Sequence, residues 1–415
     1  MSILQSQANP SLLQETVTAQ IAQSSDALTA LRRELHQHAE LALQEFQTAL
    51  IIERELDALG IPHVRVGETG VLGTITGTIP SDRVIALRAD IDGLPVQEIS
   101  DVPYRSLTDG VMHACGHDSH VASLLGAARA LTQNVDQLHG EVRLIFQPAE
   151  ETGFGAKDFI TAGALKGVQR VFGLHAAADL PIGTISVTPN INMAAVDHVQ
   201  IEVQGKGAHV SRPHQGSDAL YIASHIVVGL QALVARRTSP VEPVILGIGK
   251  LNSGTAYNSV AETAVLEGTT RTISHESRAQ ARTDIDLLAR NIAQTYGGSA
   301  KVIWRDVTPP VINPPEVTNE VLAIAASLGS HITVVNDRGL SLGGDNFAEF
   351  QLEVPGVYAF VGTRNPQIPN STSSHHNGNF DIDEAALPIA ASLYASYALW
   401  WVNGGGASEA SGSIS

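Results

Sequence analysis

Short apolar runs alternate with longer stretches of helical periodicity in the first half of the chain. Apolar residues recur at helical spacing within residues 17–60 and 121–131, which predicts helices there. Apolar runs at 84–87, 142–146 and 171–174 predict buried strands. Because buried strands that alternate with helices are typical of a sheet covered on both faces, we predict an α/β fold with a mostly parallel sheet.

The middle of the chain has a different order of predicted strands and helices. Its pattern predicts a strand, a helix, two strands, a helix and a strand, an order typical of a ferredoxin-like α+β sandwich. The six segments are 199–203, 217–236, 244–248, 264–272, 276–296 and 300–307. We therefore predict an inserted lid or dimerisation domain at 196–308, and a catalytic domain formed by residues 1–195 and 309–402. The Gly/Ser-rich residues 403–415 are predicted to be a disordered tail.

Composition narrows the classes of function. The chain has 42 Asp and Glu against 25 Lys and Arg, a formal net charge of −17. That excess of carboxylate repels phosphate backbones and anionic lipids, so we expect no nucleic acid and no membrane as partners. The single cysteine allows no internal disulfide and the N-terminus has no signal-peptide pattern, which favours the cytoplasm. The longest uncharged stretch, 385–402, contains a proline and lacks flanking basic residues, so it is predicted to be a packed helix.

The densest group of chemically active side chains is the segment HACGHDSH at residues 113–120. Alternate side chains of an extended segment share a face, so His113, Cys115 and His117 can point the same way. A thiolate and imidazoles on one side can hold a divalent metal ion. The alternative is a helix start capped by Asp118 with a surface histidine. A structural zinc finger is excluded because the chain has no second cysteine.

Polar residues also follow the predicted strands, at the end where ligands bind in sheets of this class. Glu150 and Glu151 come after the second strand, and His175 ends the third. A hydrolytic metal site needs one carboxylate to ligate the ion and another to accept a proton from water. Adjacent residues of an extended chain face opposite ways, which suits that division. The alternatives are solvated glutamates and a buried histidine bonded to a carbonyl group.

Further candidates have supporting roles or lie far along the chain. Asp90 and Asp92, after the first strand, are candidates to orient a ligand imidazole, as is Asp118. The polar loop before the C-terminal helix contains His375 and His376. One of these two histidines is a candidate for the last metal ligand.

These motifs resemble those of the co-catalytic metal amidohydrolases of the aminoacylase and carboxypeptidase type. The resemblance extends over about residues 30 to 400 and is carried by HACGHDSH, QPAEETGFGAK, GLH and KGAHVSRPHQGSDAL. It is strongest to the branch of N-acyl-amino-acid amidohydrolases, hippurate hydrolases and auxin-conjugate hydrolases. The resemblance implies a metallopeptidase-like catalytic domain with a dinuclear metal site.

The resemblance also implies roles for individual residues. Two divalent ions, which could be Mn, Zn, Co or Ni, would be held by Cys115, His117, Glu151, His175 and His376. Cys115 would bridge the ions, and Glu150 would be the general base that takes a proton from the bridging water. His209 would steady the oxyanion, while Asn258 and Arg271 would hold the free carboxylate of the substrate.

Two departures from the usual family pattern stand out. The family usually has Gly-Ser-Glu-Asp-Phe where this chain has Gly-Gly-Asp345-Asn346-Phe, a change that bears on substrate preference. Arg88 stands where more distant relatives carry a metal-ligand histidine, which is consistent with the cysteine-containing branch.

We predict a cytoplasmic, metal-dependent amidohydrolase that cleaves small N-acyl or N-aroyl amino acids and forms a homodimer or homotetramer. One alternative is a dipeptidase or carboxypeptidase with the same metal machinery. A remote alternative is a catalytically inactive binding protein on this fold. A third is a thiol enzyme with Cys115 as nucleophile and His117 as base, which would leave the glutamates and the later histidines without a role.

Overall fold

The computed structural model describes residues 12–406 of the chain. Its α-helices in this range are α1 (Leu12–Gln23), α2 (Ser25–Gln37), α3 (Phe46–Ala58), α4 (His117–Gln133), α5 (Ala156–Thr161), α6 (Ala219–Arg236), α7 (His275–Thr295), α8 (Pro315–Ser327), α9 (Phe347–Glu353) and α10 (Ala386–Val402). The first strands are β1 (His63–Val66), β2 (Gly70–Thr76), β3 (Ile79–Asp90), β4 (His139–Gln147), β5 (Arg170–Pro181), β6 (Thr184–Ser186), β7 (Asn190–Met193) and β8 (Ala195–Gln204). The later strands are β9 (Ala208–His209), β10 (Ile245–Ser253), β11 (Ser259–Val260), β12 (Thr263–Thr272), β13 (Ser299–Thr308), β14 (Val311–Asn313), β15 (Thr333–Val335) and β16 (Gly356–Arg364).

The described chain divides into two compact units. The first comprises residues 12–192, 312–339 and 346–406, and the second comprises residues 193–311 and 340–345. The second unit differs from the predicted inserted domain at 196–308 chiefly by the short segment 340–345. That segment joins it through main-chain bonds, since Ala194 N donates to the carbonyl oxygens of Ser341 (3.1 Å) and Gly343 (3.0 Å).

The first unit is built on an eight-stranded sheet with the order β1-β2-β4-β3-β5-β16-β6-β15. Its four central strands, β4, β3, β5 and β16, run parallel to one another. The flanks are mixed: β2 is antiparallel to β1 and β4, and β6 is antiparallel to β16. The predicted α/β class is confirmed. Antiparallel pairing enters because β1 and β2 are joined by a short turn, which permits no parallel crossover.

Helices cover both faces of this sheet. On β5, Phe172 packs against the rings of Tyr394 and Tyr397 of α10, with ring centroids 5.5 and 5.3 Å apart. The next residue, Gly173, points to the other face, where a Cβ atom would lie 2.9 Å from the ring of Phe347 of α9. Consecutive residues of one strand thus meet helices on opposite sides, which explains why the central strands are apolar throughout.

The C-terminal helix α10 is a packed helix, as the sequence predicts. Most of its residues are buried, and the Tyr394 hydroxyl donates a 2.6 Å hydrogen bond to the carbonyl oxygen of Arg88. The prediction of a disordered tail is wrong for residues 403–406, which form a turn. Arg83 donates to the carbonyl oxygens of Trp401 and Gly405, so a half-buried guanidinium holds this turn. The remainder of the predicted tail, 407–415, lies outside the described residues.

The second unit is a ferredoxin-like sandwich, as the sequence predicts. Its antiparallel sheet has the order β10-β12-β8-β13, and α6 and α7 lie between these strands in the sequence. Among the described helices, α6 alone is long and apolar enough to pass for a membrane span on length and composition. Ile222, Ile226 and Leu230 on its inner face are fully buried in the core of this unit, as expected for a sandwich helix.

Candidate metal centre

Cys115 and His117 lie where the loop after β3 turns into α4. Gly116 between them has φ +91°, and a Cβ atom there would come within 3.3 Å of Ala176. Glycine is favoured at such a position because it adopts positive φ without a side-chain penalty. The turn brings the thiol of Cys115 to 3.3 Å from Nε2 of His175, which lies in the middle of β5 and not at the strand end that the sequence predicted. Two motifs that are 60 residues apart therefore meet at the carboxyl edge of the sheet.

Two groups of donor atoms share Cys115. Its sulfur, with donor nitrogens of His117 and His175, forms one group in which all atoms lie within 4.8 Å of one another. The same sulfur forms a second such group with Glu151 and His376. A third group joins His117 to Glu150 and Glu151. The structure thus brings together all six residues for which the sequence predicted a role at the metals.

The two buried imidazoles are oriented by their other ring nitrogen. Nδ1 of His117 lies 2.9 Å from the carbonyl oxygen of Asp92, and Nδ1 of His175 lies 2.6 Å from that of Ala176. A carbonyl oxygen only accepts, so each Nδ1 carries a proton, which leaves Nε2 as the ring atom that can ligate a metal ion. Nε2 of His117 is buried and has no hydrogen-bond partner among the described residues. This arrangement is typical of imidazoles that ligate a metal ion.

Glu150 and Glu151 lie in a tight 3₁₀ turn directly after Ala149, which has φ +59°. The main-chain N–H of Glu151 donates to Oδ2 of Asp92 at 3.0 Å. The main-chain N–H of Asn346 donates to Oε1 of Glu150 at 3.4 Å. The pair thus lies in a 3₁₀ turn and not on the extended chain that the sequence predicted, and each glutamate contacts a different segment of the first unit.

The structure separates the two adjacent histidines of the loop before α10. His376, with φ +64°, places Nε2 3.4 Å from Oε1 of Glu151, and its main-chain N–H donates to the carbonyl oxygen of Ala114 at 2.8 Å. Nε2 of His375 instead accepts from the main-chain N–H of Ala178 at 3.3 Å. His376 is therefore the member of the pair that joins the donor groups.

The charges of the cluster favour a bound cation. Burial, and then the charge of Glu151, raises the pKa of the Cys115 thiol well above its usual range. Burial together with His120 and His375 keeps the pKa of His175 well below its ordinary value, so this ring is neutral. Oε1 of Glu151 is buried and has no hydrogen-bond partner among the described residues. One sulfur, two carboxylates and three imidazoles form a donor set that fits divalent transition-metal ions, and a bound cation would favour the thiolate form of Cys115.

Asp90 forms a further group of donor atoms with His117 and His120, all within 4.8 Å of one another. Its Oδ1 is bonded to Nδ1 of His120, and its Oδ2 accepts from Arg88 at 2.6 Å. Nε2 of His120 in turn accepts from the main-chain N–H of Ala176 at 2.8 Å. His120 then packs edge-on against His175, with ring centroids 4.7 Å apart. His120 lies within the HACGHDSH segment, but nothing in the sequence assigned it to a support behind a ligand.

Asp118 does not orient a ligand imidazole, contrary to the prediction. Its carboxylate accepts from Nε of Arg32 at 2.7 Å and lies 2.8 Å from Nδ1 of His36. Both partners belong to α2. Consecutive side chains of a helix point about 100° apart, so Asp118 faces away from the donor atoms near His117. It fastens the start of α4 to α2.

Asn346 is the second residue whose role the sequence did not reveal. Its side-chain oxygen accepts from Arg88 (3.1 Å) and from Gln147 (2.8 Å), and its amide nitrogen donates to the carbonyl oxygen of Phe154 (2.7 Å). This fully bonded amide fixes the main-chain N–H that reaches Glu150. The sequence singled out Asn346 only as a departure from a family motif.

The predicted oxyanion residue, His209, and the two predicted substrate-binding residues, Asn258 and Arg271, lie in the second unit. Nδ1 of the exposed His209 ring, on β9, accepts from the main-chain N–H of Ser211 at 3.1 Å, so Nε2 carries the proton. Asn258 precedes β11, and its carbonyl oxygen accepts from Val210 N at 3.2 Å. Arg271 is half-buried on β12, where burial lowers its pKa, and it has no ion-pair partner among the described residues. His209 lies on β9, which pairs with β11, and Asn258 directly precedes β11, whereas Arg271 lies on the larger sheet.

Comparison with known proteins identifies the family. Residues 86–400 match the model described as peptidase family M20/M25/M40. The chain belongs to this family. The resemblance inferred from the sequence motifs is therefore confirmed, and the protein is a hydrolase of amide bonds.

Individual relatives span nearly the whole chain. Thermostable carboxypeptidase 2 of Saccharolobus solfataricus is 38% identical over 397 residues, which cover 94% of this chain and 99% of the relative. N-acetyl-L-cysteine deacetylase of Bacillus subtilis is 40% identical over 374 residues, or 90% of this chain and 86% of the relative. A B. subtilis crystal structure, described as a dinuclear metal-binding peptidase of the M20 family, has a TM-score of 0.80 at 36% identity and covers 92% of this chain and 99% of that one.

Proposed function

We propose that this protein hydrolyses the amide bond of N-acyl or N-aroyl amino acids at a centre of two divalent metal ions. The observation that carries the proposal is that two donor groups share the Cys115 sulfur, while Glu150 lies in a third group beside them. A shared sulfur suits a bridging thiolate. His117 and His175 would complete one metal site, and Glu151 and His376 the other.

Each part of the centre has a chemical task. Bound there, the ions would lower the pKa of a coordinated water and polarise the carbonyl group of the substrate. Glu150 accepts a proton from the attacking water and returns it to the nitrogen of the leaving amino acid. The N–H of Asn346 on Oε1 orients this carboxylate. Asp92 keeps both His117 and Glu151 in place through its carbonyl and carboxylate oxygens.

The second unit supplies groups that suit the rest of the substrate. His209 presents a protonated Nε2, which is the donor that a developing oxyanion needs. Arg271 is a half-buried cation without an ion-pair partner among the described residues, and we assign it, with Asn258, to the free carboxylate of the substrate. A guanidinium suits that role because it offers two parallel donors to a carboxylate.

A carboxypeptidase or dipeptidase is the second candidate. The long match to a thermostable carboxypeptidase supports it, as the match to an N-acetylcysteine deacetylase supports the first. Both reactions release an amino acid with a free carboxylate and can use the same metal centre. They differ in the group on the carbonyl side of the cleaved bond, which is either a simple acyl group or another amino-acid residue.

We also propose the metal ions, the oligomeric state and the cellular compartment of the enzyme. The mixed sulfur, nitrogen and oxygen donors suit Mn, Zn, Co or Ni. The outer face of α6 exposes Leu220, Tyr221 and Val228, and this apolar surface suits the interface of a homodimer or homotetramer. A single cysteine, placed among metal donors, suits the reducing cytoplasm.

The experiment that tests the function is hydrolysis of a panel of N-acyl amino acids, hippurate included, and of matching dipeptides. Glu150→Gln should lower kcat by about 10²- to 10⁴-fold, the usual contribution of a general base, while metal content stays at the wild-type level. Glu276→Gln, an exposed glutamate on α7, is the matched control and should behave as wild type. Loss of metal from Glu150→Gln would contradict its assignment as the base.

A further inference from the structure

The turn that carries Glu150 and Glu151 begins with a strained residue. Ala149 is fully buried and has φ +59°, ψ +35°, the left-handed region. An L-residue with a Cβ atom adopts this region only at a conformational penalty, so neighbouring contacts must hold it there. Leu43, Asn190 and His376 are the other described residues, apart from glycine, with positive φ.

Hydrogen bonds hold the peptide groups on both sides of Ala149. Its carbonyl oxygen accepts from the main-chain N–H of Phe154 at 2.9 Å and from the hydroxyl of Thr152 at 3.2 Å. Those donors belong to the turn itself. Its main-chain N–H instead donates to Oε1 of Glu45 at 2.9 Å, and Glu45 comes 104 residues earlier in the chain.

The buried carboxylate of Glu45 lies between Ala149 and Thr69. Glu45 is fully buried, and its second carboxylate oxygen accepts from the hydroxyl of Thr69 at 2.8 Å. It is also the N-cap residue of α3, where an acidic side chain normally accepts from the first turn of the helix, yet it makes no such bond. That task falls to Glu40, which accepts from the main-chain N–H groups of Gln47 and Thr48 at 3.0 and 2.9 Å.

We propose that Glu45 is a positioning residue for the reaction: its buried carboxylate holds Ala149 in the left-handed conformation that sets Glu150 beside the metal donors. The inference rests on the proposed function, because it concerns the placement of the proposed base. Glu45 acts through Ala149 and touches neither the substrate nor the donor atoms. Its loss lets the turn relax toward φ values that alanine prefers and moves the base away from its working position.

Strain at Ala149 allows a positioning role of Glu45 to be distinguished from a purely structural one. Glycine adopts positive φ about as readily as negative φ, so Ala149→Gly removes the conformational penalty that Glu45 offsets. Removing the Glu45 carboxylate should therefore lower the kcat of the wild-type enzyme far more than the kcat of the Ala149→Gly variant. If Glu45 only stabilised the fold, its removal would lower kcat equally in both backgrounds, or more in the Ala149→Gly background.

The test is a double-mutant cycle on the metal-loaded enzyme with Glu45→Leu and Ala149→Gly. We expect Glu45→Leu to lower kcat about tenfold, equivalent to about 1.4 kcal/mol, with KM and bound metal within twofold of wild type. Adding Ala149→Gly should raise the kcat of the Glu45→Leu variant at least threefold. Glu45→Gln should keep kcat within threefold, because its amide oxygen can still accept from Ala149. No restoration by glycine, or a parallel loss of metal and KM, would overturn the proposal.

Controls separate this inference from the proposed function. Glu40→Leu removes a carboxylate from the same segment and should lower the melting temperature while leaving kcat unchanged. If Glu45→Leu does not fold, Thr69→Val perturbs the same carboxylate more gently and should give a smaller loss that glycine again restores. Glu150→Gln is measured alongside: full activity in that variant refutes the proposed function, whereas an inactive Glu150→Gln beside an unaffected Glu45→Leu refutes only the role of Glu45.

Discussion

Replacing Arg32 by methionine should destabilise the first unit far more than the same change at its neighbour Arg33. The Arg32 side chain is fully buried, and it pairs with Asp118 at 2.7 Å and with Asp381 at 2.8 Å. Arg33 is 43% exposed and pairs with Glu384 at 2.6 Å. The two arginines are adjacent on α2 and both contact Glu384, so they form a matched pair that differs mainly in burial.

The expected magnitudes follow from that burial. Methionine at position 32 leaves the carboxylates of Asp118 and Asp381 buried without their cation, although His36 and Tyr104 remain as hydrogen-bond partners. Breaking a buried pair in this way costs about 3–5 kcal/mol. An exposed pair such as that of Arg33 contributes about 0–1 kcal/mol. The two variants should therefore differ by about 3 kcal/mol, more than a hundredfold in the unfolding equilibrium.

The assay is urea unfolding followed by tryptophan fluorescence. Trp304 lies in the second unit and the other two tryptophans lie in α10, so a Trp304→Phe background reports the first unit alone. Arg32→Met should shift the midpoint strongly and Arg33→Met only slightly. Equal shifts, or a shift below about 1 kcal/mol for Arg32→Met, would refute the argument that buried charge pairing fastens α4 to α2.

Three further predictions concern the site and the assembly. Cys115→Ser should lose or weaken bound metal, because it removes the only donor common to both groups, and full occupancy with full activity would contradict a bridging role. Arg271→Ala should raise KM for substrates with a free carboxylate by about 10- to 150-fold, the equivalent of about 1.5–3 kcal/mol, and should spare the matching carboxamides; equal effects on both would contradict the assignment. Sedimentation should give at least twice the 43.7 kDa of one chain, and Val228→Glu on the exposed face of α6 should lower the mass, whereas a wild-type monomer would refute the proposed interface.

The sequence predicted those secondary-structure elements whose hydrophobic pattern lies within a single segment of the chain. The apolar run at 171–174 gave the core of β5, and the helical periodicity at 217–236 gave α6 to within two residues. The order of elements in the second unit followed from the same local signals. The antiparallel flanks of the large sheet could not be predicted, because the sequence of a single strand does not show which distant strand it pairs with or in which direction.

The sequence pointed to most of the donor residues because they lie in short segments dense in histidine, cysteine or glutamate, at 113–120, 150–151 and 375–376. The residues that hold them were harder to find, because their partners are remote in the sequence. Glu45 meets Ala149 across 104 residues, and Asn346 meets Glu150 across 196. Asp118 was misassigned for a related reason: it adjoins His117 in the chain, but the helix turns its carboxylate toward Arg32. Proximity in sequence is thus a poor guide to which residue supports a ligand.

The central claim is that activity depends on two metal ions held by donor groups that share Cys115. The most direct test measures metal stoichiometry and hippurate hydrolysis together on wild type, before chelation, after chelation and after metal add-back. We predict two ions per subunit, loss of activity on chelation and recovery when two equivalents are restored. Activity that survives chelation but is abolished by thiol alkylation would contradict the claim and assign the chemistry to Cys115 as a nucleophile.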